Sequence, residues 1–483
     1  MYAQTSKIFM GDMPELMENI LNNLNNELYS LYLCALVNRH WCKMSIPILW
    51  RNPFSFDKSP SFITKYFSSL NEDEQLVLKE SGIDKEFSET LFDYARFLKA
   101  LNLSWLEYKV KKWIDLECII NSESYYDTLY HVNNLLFKLF IERGVTLHNL
   151  DLHFSEFLKL KPEIFYSLGQ NVQFFSRLQY IFDGLKLGGY YWTYTPELLH
   201  ALSCITKSQE QLRQFSLFGL GNLLKFYGII SALEYQKNSL QEFIITGCAY
   251  SAEFEVLKNC KNLEILRIRS CNDEKLLKLL NYKIRTLEIS GCSIDASIII
   301  QILKESGLLL QHLNFGSRIT RIEEESLILI ALKSFCPNIT HLNISNIEFS
   351  TQFLELINNL QKLQLLTLWC FITDIPEEEL KIRVMQFAER LPLTLQYLDL
   401  GYNTWIEPYI DIFLNHCNVP LKKLLIYHLN NEKNTKALIE FCIRNRTLNY
   451  VGVLRYLNLK DHIKKDVEIY VTLVQYECIF VNC

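Results

Sequence analysis

Aliphatic residues recur with a fixed spacing through the second half of the chain. Each copy has apolar residues at its first, fourth and sixth positions, so its later part alternates as a half-buried strand does. Ten copies start at Leu212, Leu240, Leu263, Ile284, Leu310, Ile339, Leu363, Leu395, Leu421 and Leu448. Helix-like stretches such as residues 273–280 and 294–305 stand between them. The pattern therefore predicts a repeat made of one short strand and one helix.

Stacked repeats of this kind bury a continuous apolar core between neighbours. The predicted fold class is α/β, with a curved parallel sheet inside and helices outside, over residues 147–475. Weaker copies begin at Leu98, Leu147 and Leu178. An ordinary α/β domain is the alternative that the pattern leaves open.

The pattern resembles leucine-rich repeats, and in particular their cysteine-containing subclass. In that subclass the residue three beyond the last leucine turns inward, where Asn or Cys satisfies the turn. Four repeats match, with Cys248, Cys271, Cys292 and Asn403 at this position. The other repeats depart, with Arg318, Ile347, Phe371 and Leu429 there, so irregular turns are expected.

A different pattern occupies residues 10–53. Pro14 suits the first turn of a helix, and apolar residues with helical spacing follow to Leu24. A second apolar run covers residues 28–37, and a third covers 41–50. Three helices of this size are more apolar than their own small bundle can bury. The segment is therefore expected to dock on another protein; packing on its own chain is the alternative.

Residues 13–15, 37–41 and 49–50 resemble the fixed points of the F-box, read here as Met-Pro-Glu, Val-Asn-Arg-His-Trp and Leu-Trp. The resemblance implies binding to a Skp-type adaptor, and through it to a cullin and a RING subunit. By carry-over, the implied adaptor contacts are Met13, Pro14, Leu16, Ile20 and Val37. Trp41 and Trp50 are expected to hold the three helices together. Residues 54–146 are interpreted as a helical connector and N-terminal cap that includes an irregular repeat.

Side chains on either side of the middle leucine, and just after each motif, should line the concave face of the sheet. The predicted substrate-binding residues on this wall are Arg267, Arg269, His312, His341, Trp369, Tyr397, Asp399 and Tyr427. Trp369 and Tyr397 are the expected anchors, since Trp, Tyr and Arg are enriched at binding hot spots. Arg267 and Arg269 are compatible with phosphate recognition. The alternative is a solvated face whose ligand binds a loop or the far end of the array.

Composition narrows the function classes. The net charge is −5 and no basic block stands out, so nucleic acid and anionic membranes are not expected partners. No apolar run is long enough to span a membrane, and the N-terminus does not look like a secretory signal. The 14 cysteines contain no CxxC pair and are expected to be reduced thiols in the cytosol or nucleus. His312 and His341 share a column but lack a third ligand, so no metal is expected.

No catalytic motif or nucleotide loop appears in the chain, and neither an active site nor a cofactor is expected. The leading hypothesis is a non-catalytic substrate receptor of a Skp–cullin–F-box ubiquitin ligase, whose protein substrate the sequence does not name. The alternative is a leucine-rich-repeat interaction scaffold that is not coupled to ubiquitination.

Overall fold

A computed structural model describes the chain over residues 14–24, 27–55, 59–117, 125–151, 177–178, 180–183, 196–209, 211–218, 228–271, 273, 275–276, 283–293, 295–316, 322–429 and 431–481. Its Cα positions form two compact units. The first contains residues 1–220, 225–240 and 259–261, and the second contains 221–224, 241–258 and 262–483. No helix in the described part of the chain is long and apolar enough to cross a membrane.

The first unit begins with three helices: α1 (Pro14–Asn23), α2 (Leu28–Ala35) and α3 (Arg39–Leu49). Leu21, Leu31 and Ile48 form the centre of their small core. Asn38 begins α3 as its N-cap, because its side-chain oxygen accepts hydrogen bonds from the backbone N–H groups of residues 40 and 41, both at 2.9 Å. The polar residue inside the F-box-like motif therefore has a structural role.

The connector packs on this bundle through aromatic rings. It contains 3-10 turns at residues 53–55, 60–62 and 67–69, and the helices α4 (Ile63–Tyr66), α5 (Glu72–Glu80), α6 (Leu103–Glu117) and α7 (Tyr125–Glu142). The ring of Trp50 lies 6.0 Å from Phe62, 5.3 Å from Tyr66 and 4.1 Å from Tyr94, measured between ring centroids. Trp50 thus joins the bundle to the connector, whereas Trp41 packs on the core of the bundle.

Four strands of the first unit pair in chain order and in parallel: β1 (Ala100–Asn102), β2 (Asn149–Asp151), β3 (Tyr180–Asp183) and β4 (Gln214–Phe218). Helix α8 (Pro196–Ser208) precedes β4. The weak repeat copies at Leu98, Leu147 and Leu178 are therefore confirmed, since each leads into a strand of this ladder. The expected irregular repeat inside the connector is the one that contains β1.

The second unit continues the same plan. Its strands are β5 (Glu242–Thr246), β6 (Ile265–Arg269), β7 (Thr286–Ser290), β8 (His312–Gly316), β9 (His341–Glu348), β10 (Leu365–Phe371), β11 (Tyr397–Asp399), β12 (Lys423–Ile426), β13 (Tyr450–Val453) and β14 (Thr472–Gln475). Each strand pairs in parallel with the next.

The helices between these strands are α9 (Ala296–Ser306), α10 (Ile322–Phe335), α11 (Thr351–Asn359), α12 (Glu377–Arg390), α13 (Ile410–His416), α14 (Glu432–Arg444) and α15 (Asp461–Glu468). Between β5 and β6 the segment Ala252–Asn259 is a 3-10 helix instead, in one of the shorter repeats. The α/β fold class predicted from the repeat spacing is confirmed.

Alternate strand residues face the core. In β6, Leu266 and Ile268 are buried while the residues between them are half-exposed. The inward rings meet the connecting segments directly, as where the Phe243 ring lies 6.2 Å from that of Phe254 in the 3-10 helix. In the described part of the second unit, one face of the strands therefore packs against the connecting helices, and we call the opposite face the helix-free face.

The inward turn position is confirmed where the residues are Cys or Asn. Cys271 and Cys292 are buried, and each thiol lies within hydrogen-bond distance of two carbonyl oxygens. One belongs to its own repeat, Arg269 or Ser290, both at 3.3 Å, and the other to the preceding strand, Ile245 at 3.9 Å or Ile268 at 3.6 Å. Asn403 is buried; its side-chain oxygen accepts from the N–H of Cys370 at 2.8 Å, and its amide donates to the carbonyl of Leu368. The bonds of Asn403 satisfy backbone groups of β10 beyond its last pair with β11, Thr367 with Asp399.

The expected irregular turn is found at Ile347. Asn346 adopts a left-handed backbone with φ of 61°, and the register between β9 and β10 shifts between Trp369 and Cys370. Asn346 is therefore an extra residue in β9, and it lets Ile347 point into the core. Leu429 is also buried, whereas Phe371 is half-exposed and Arg318 lies outside the described residues.

Replacing Asn403 tests the structural role of the inward turn position. We expect Asn403→Ala to lower the free energy of unfolding by about 2 kcal/mol, because two buried backbone groups lose their hydrogen-bond partners. Chemical denaturation followed by circular dichroism measures the change. Asn358→Ala, at an exposed position of α11, is the matched control. Equal destabilisation of the two variants would contradict the role assigned to Asn403.

Candidate functional site

The columns predicted on the helix-free face are confirmed by the strand register. One column runs through Thr286, His312, His341, Leu365, Tyr397 and Lys423. The next column runs through Arg267, Glu288, Asn314, Asn343, Thr367, Asp399 and Leu425. Register alone, however, does not decide which of these side chains a ligand can reach.

The basic end of the wall is neutralised by acids. Arg267 bridges Glu242 at 2.8 Å and Glu288 at 3.1 Å, and Arg269 holds Glu288 with two hydrogen bonds of 2.6 and 2.7 Å. Burial alone would raise the pKa of the Glu288 carboxyl, but the bonds from Arg269 and Arg267 outweigh it and lower that pKa. The interpretation of these arginines as a basic surface for phosphate is therefore wrong: their charges serve a half-buried ionic network.

His312 and His341 lie together, as predicted, and their rings contact each other at a tilted angle. Their ring centroids are 4.0 Å apart with an interplanar angle of 57°. Burial, and then the neighbouring ring, lowers the pKa of His341 to about 4, and burial with Arg267 lowers the pKa of His312. Both rings are neutral near pH 7 and offer hydrogen bonds rather than charge. Within the described residues, no group of three or more His, Cys, Asp or Glu side chains could hold a metal ion.

Two predicted contact residues are not accessible. Tyr397 is 3% exposed and Asp399 is 1% exposed, so their assignment to an open binding surface is wrong. The cause is the segment after β14, which includes a 3-10 turn at Tyr476–Cys478 and which we call the C-terminal tail, residues 476–481. Tyr476 and Ile479 of the tail form a buried cluster with Tyr397 and Leu425. The chain itself occupies this part of the helix-free face.

Hydrogen bonds fix the tail in place. The Tyr476 hydroxyl donates to Asp399 Oδ2 at 2.7 Å, and the Val481 N–H donates to the Tyr397 hydroxyl oxygen at 3.1 Å. Gly401 leaves room for the tail, since a Cβ there would lie 2.4 Å from a ring carbon of Tyr476. These contacts join residues about 80 positions apart in sequence, which a repeat pattern does not reveal.

An aromatic surface stays open beside the tail. Trp369 is 52% exposed, and its ring centroid lies 6.0 Å from that of Tyr402, which is 51% exposed. Tyr402 contacts Tyr476 at 5.6 Å, and Tyr476 stacks on Phe480 at 5.4 Å. We call Trp369, Tyr402, Tyr476 and Phe480 the aromatic row. Sequence reasoning missed the last three, because Tyr402 follows the motif positions and the other two belong to no repeat.

Tyr427 is half-buried under a cation. The guanidinium carbon of Arg455 lies 4.9 Å from the centroid of its ring. Its ring face is therefore already occupied by a group of the same chain.

The three-helix bundle presents a second open surface. Leu16 and Ile20 of α1 are 41% and 43% exposed, and Val37 before α3 is 61% exposed. Further exposed apolar side chains lie on or next to α2: Tyr29, Tyr32, Leu33 and Leu36. Helix α1 begins at Pro14, and Met13 lies outside the described residues. We call these seven exposed residues the apolar face of the bundle.

The cysteines of the second unit are structural in character. In the described part of the chain every cysteine is free of disulfide bonds, and Cys248, Cys271 and Cys292 are buried. Burial raises the pKa of Cys271 to about 11 and raises that of Cys292. A thiol that stays protonated is a poor nucleophile and a poor metal ligand.

No family model matches the chain, and no curated protein matches its sequence. Solved structures do resemble its backbone. The leucine-rich repeat-containing protein LegL7 from Legionella pneumophila is 12% identical, with a TM-score of 0.37 over 55% of this chain and 91% of that chain. The yeast Rad7–Elc1 complex is 12% identical, with a TM-score of 0.36 over 66% and 88%. The TLR13–ssRNA13 complex is 15% identical, with a TM-score of 0.30 over 79% and 51%.

These likenesses are distant, so the assignment of the fold rests on the chain's own ladder. Parallel strands in chain order, intervening helices and inward Cys or Asn residues at the turns together define a leucine-rich-repeat fold.

Asp399 gives a pH prediction. Burial raises the pKa of its carboxyl above the ordinary 3.8 and outweighs the hydrogen bonds from Tyr476, Gly401 and Tyr397. The folded chain therefore holds this proton more tightly than the unfolded chain. The contribution of this raised pKa to the free energy of unfolding is fully present below about pH 4, and it is lost as the pH rises through the folded-state pKa.

We expect Asp399→Asn, which stays uncharged, to gain stability relative to the wild type as the pH is raised from about 4 to 7. Denaturation midpoints at a series of pH values measure this difference, with Asp374→Asn, at an exposed position, as the control variant. A difference that is constant across the pH range would contradict the assignment.

Proposed function

We propose that this chain is the substrate-recognition subunit of a Skp–cullin–F-box type ubiquitin ligase. The observation that carries the proposal is the apolar face of the bundle, on the segment that resembles an F-box. A small bundle that leaves seven large apolar side chains in water is incomplete without a partner. In the proposal, a Skp-type adaptor covers this face and links the chain to a cullin and a RING subunit.

The bundle supports this reading in its details. Leu16, Ile20 and Val37, three of the residues that the resemblance assigns to adaptor contact, are exposed, whereas Leu21 and Leu31 form the core. The cap by Asn38 fixes the start of α3 and therefore the position of Val37 beside it. Leu16, Ile20 and Val37 therefore contribute little to the core of the bundle, and in the proposal they contact the adaptor.

In this proposal the protein substrate binds to the helix-free face of the strands. Strands β8 to β10 leave His312, Asn314, His341 and Asn343 half-exposed beside the exposed Trp369. Neutral hydrogen-bonding groups next to an exposed tryptophan are typical of protein–protein contact surfaces. Ubiquitin transfer itself would be carried out by the recruited enzymes, with this chain as a non-catalytic receptor in the cytosol or nucleus and without a cofactor.

Adaptor binding tests the proposal directly. We expect the purified wild-type chain to bind a purified Skp-type adaptor, and Leu16→Glu combined with Val37→Glu to weaken binding at least about tenfold, since each change places a charge in an apolar contact. Isothermal titration calorimetry measures the affinity. Leu457→Glu, at an exposed leucine of the second unit, is the matched control and should bind as the wild type does.

Absence of wild-type binding would overturn the ligase proposal and leave the leucine-rich-repeat scaffold as the better interpretation. Equal binding by the double variant and the control would remove the apolar face from the adaptor interface.

A further inference from the structure

We propose that the aromatic row and Glu348 bind a lysine or arginine side chain on an extended segment of the partner protein. This proposal specifies the chemistry of the protein substrate, and it therefore rests on the proposed function, in which the substrate binds to the helix-free face. It is carried by the geometry at the ends of β9 and β10, where exposed rings and the Glu348 carboxylate share the helix-free face.

The rings present open faces. Trp369 and Tyr402 are the half-exposed members of the row, and their centroids are 6.0 Å apart with an interplanar angle of 40°. The buried contacts of Tyr476 with Tyr402 and Asp399 hold the outer end of the row. Since a fixed ring loses little conformational freedom on binding, this row is preorganised for a partner. The face of an aromatic ring attracts a cation.

Glu348 adds a negative charge on the same face. It pairs in register with Phe371, two residues beyond Trp369 on β10, and even spacing along a strand puts both on the helix-free face. The Thr373 hydroxyl donates to Glu348 Oε1 at 2.7 Å and orients the carboxylate. An apolar or acidic occupant would desolvate or repel this charge, whereas a cation would compensate it.

A second carboxylate lies behind the first. Glu325 of α10 is buried, and it accepts the backbone N–H of Glu348 at 2.7 Å. Burial, together with the charge of Glu348, raises the pKa of Glu325. Among the residues that the structure describes, neither carboxylate forms an ion pair, and Asp374 at the following turn forms none either.

Among the residues that the structure describes, two cations of the neighbouring helix α12 are already engaged. Arg383 donates to the carbonyl of Phe349 and pairs with Glu379, and Lys381 pairs with Glu377 and Glu378. On the opposite end of the wall, Arg267 and Arg269 are held by Glu242 and Glu288. Taken over the described residues alone, the surface at the end of β9 and β10 is acidic and aromatic, which favours a basic ligand.

A positional-scanning hexapeptide library on cellulose tests the proposal with the full chain. We expect peptides with Lys or Arg at the fixed position to bind at least about threefold more strongly than those with Ala, the size of a partly exposed cation–π contact. Trp369→Ala and Glu348→Gln should each abolish that preference. Trp105→Ala, at an exposed tryptophan of α6, is the matched control and should keep it.

A preference for apolar or acidic residues, no preference at all, or a basic preference that survives both variants would overturn the proposal. Thermal unfolding of each variant establishes that it folds; should Trp369→Ala unfold early, Glu348→Gln decides alone. Adaptor binding, measured on the same preparations, separates the two proposals. A chain that prefers basic peptides but does not bind the adaptor retains this site and loses only the ligase function.

Discussion

Each repeat of this chain buries the apolar side of its strand against its own helix and against its two neighbours, and has no complete core alone. The strands are short, from three to eight residues, so most of their stability comes from this shared burial and from the parallel hydrogen bonds between repeats. Cys271, Cys292 and Asn403 extend the same dependence to the turns, because they bond to carbonyl groups of the preceding strands. Everything that binds to the helix-free face relies on this stack.

The helix-free face of the strands is partly covered by other segments of the chain. In the second unit the C-terminal tail covers Tyr397 and Leu425, and it supplies Tyr476 as the donor to the buried Asp399. Arg267 and Arg269 are likewise satisfied within the chain, since Glu288 holds both. Two parts of the helix-free face remain accessible to a partner. One is the set of neutral hydrogen-bonding groups on β8 and β9, and the other is the aromatic row with Glu348.

The sequence predicts the strands, their order and even their columns, because a residue's place in a periodic repeat decides which face it takes. It does not predict accessibility. Tyr397 and Asp399 stand at outward positions, yet they are buried by residues about 80 positions further along the chain. The two arginines suggest a basic surface until the register places Glu288 beside them. Phe480 and Tyr476 belong to no repeat, so only the folded chain shows that they extend the row begun by Trp369.

The proposed adaptor interface on the apolar face of the bundle can be located residue by residue. Hydrogen–deuterium exchange of the full chain, with and without a purified Skp-type adaptor, measures this most directly, since it reports which amides a partner protects. We expect the adaptor to protect α1, α2 and the residues up to Val37 strongly, and to leave the strands of the second unit unchanged. Unaltered exchange in the bundle, or protection confined to the repeats, would contradict the claim.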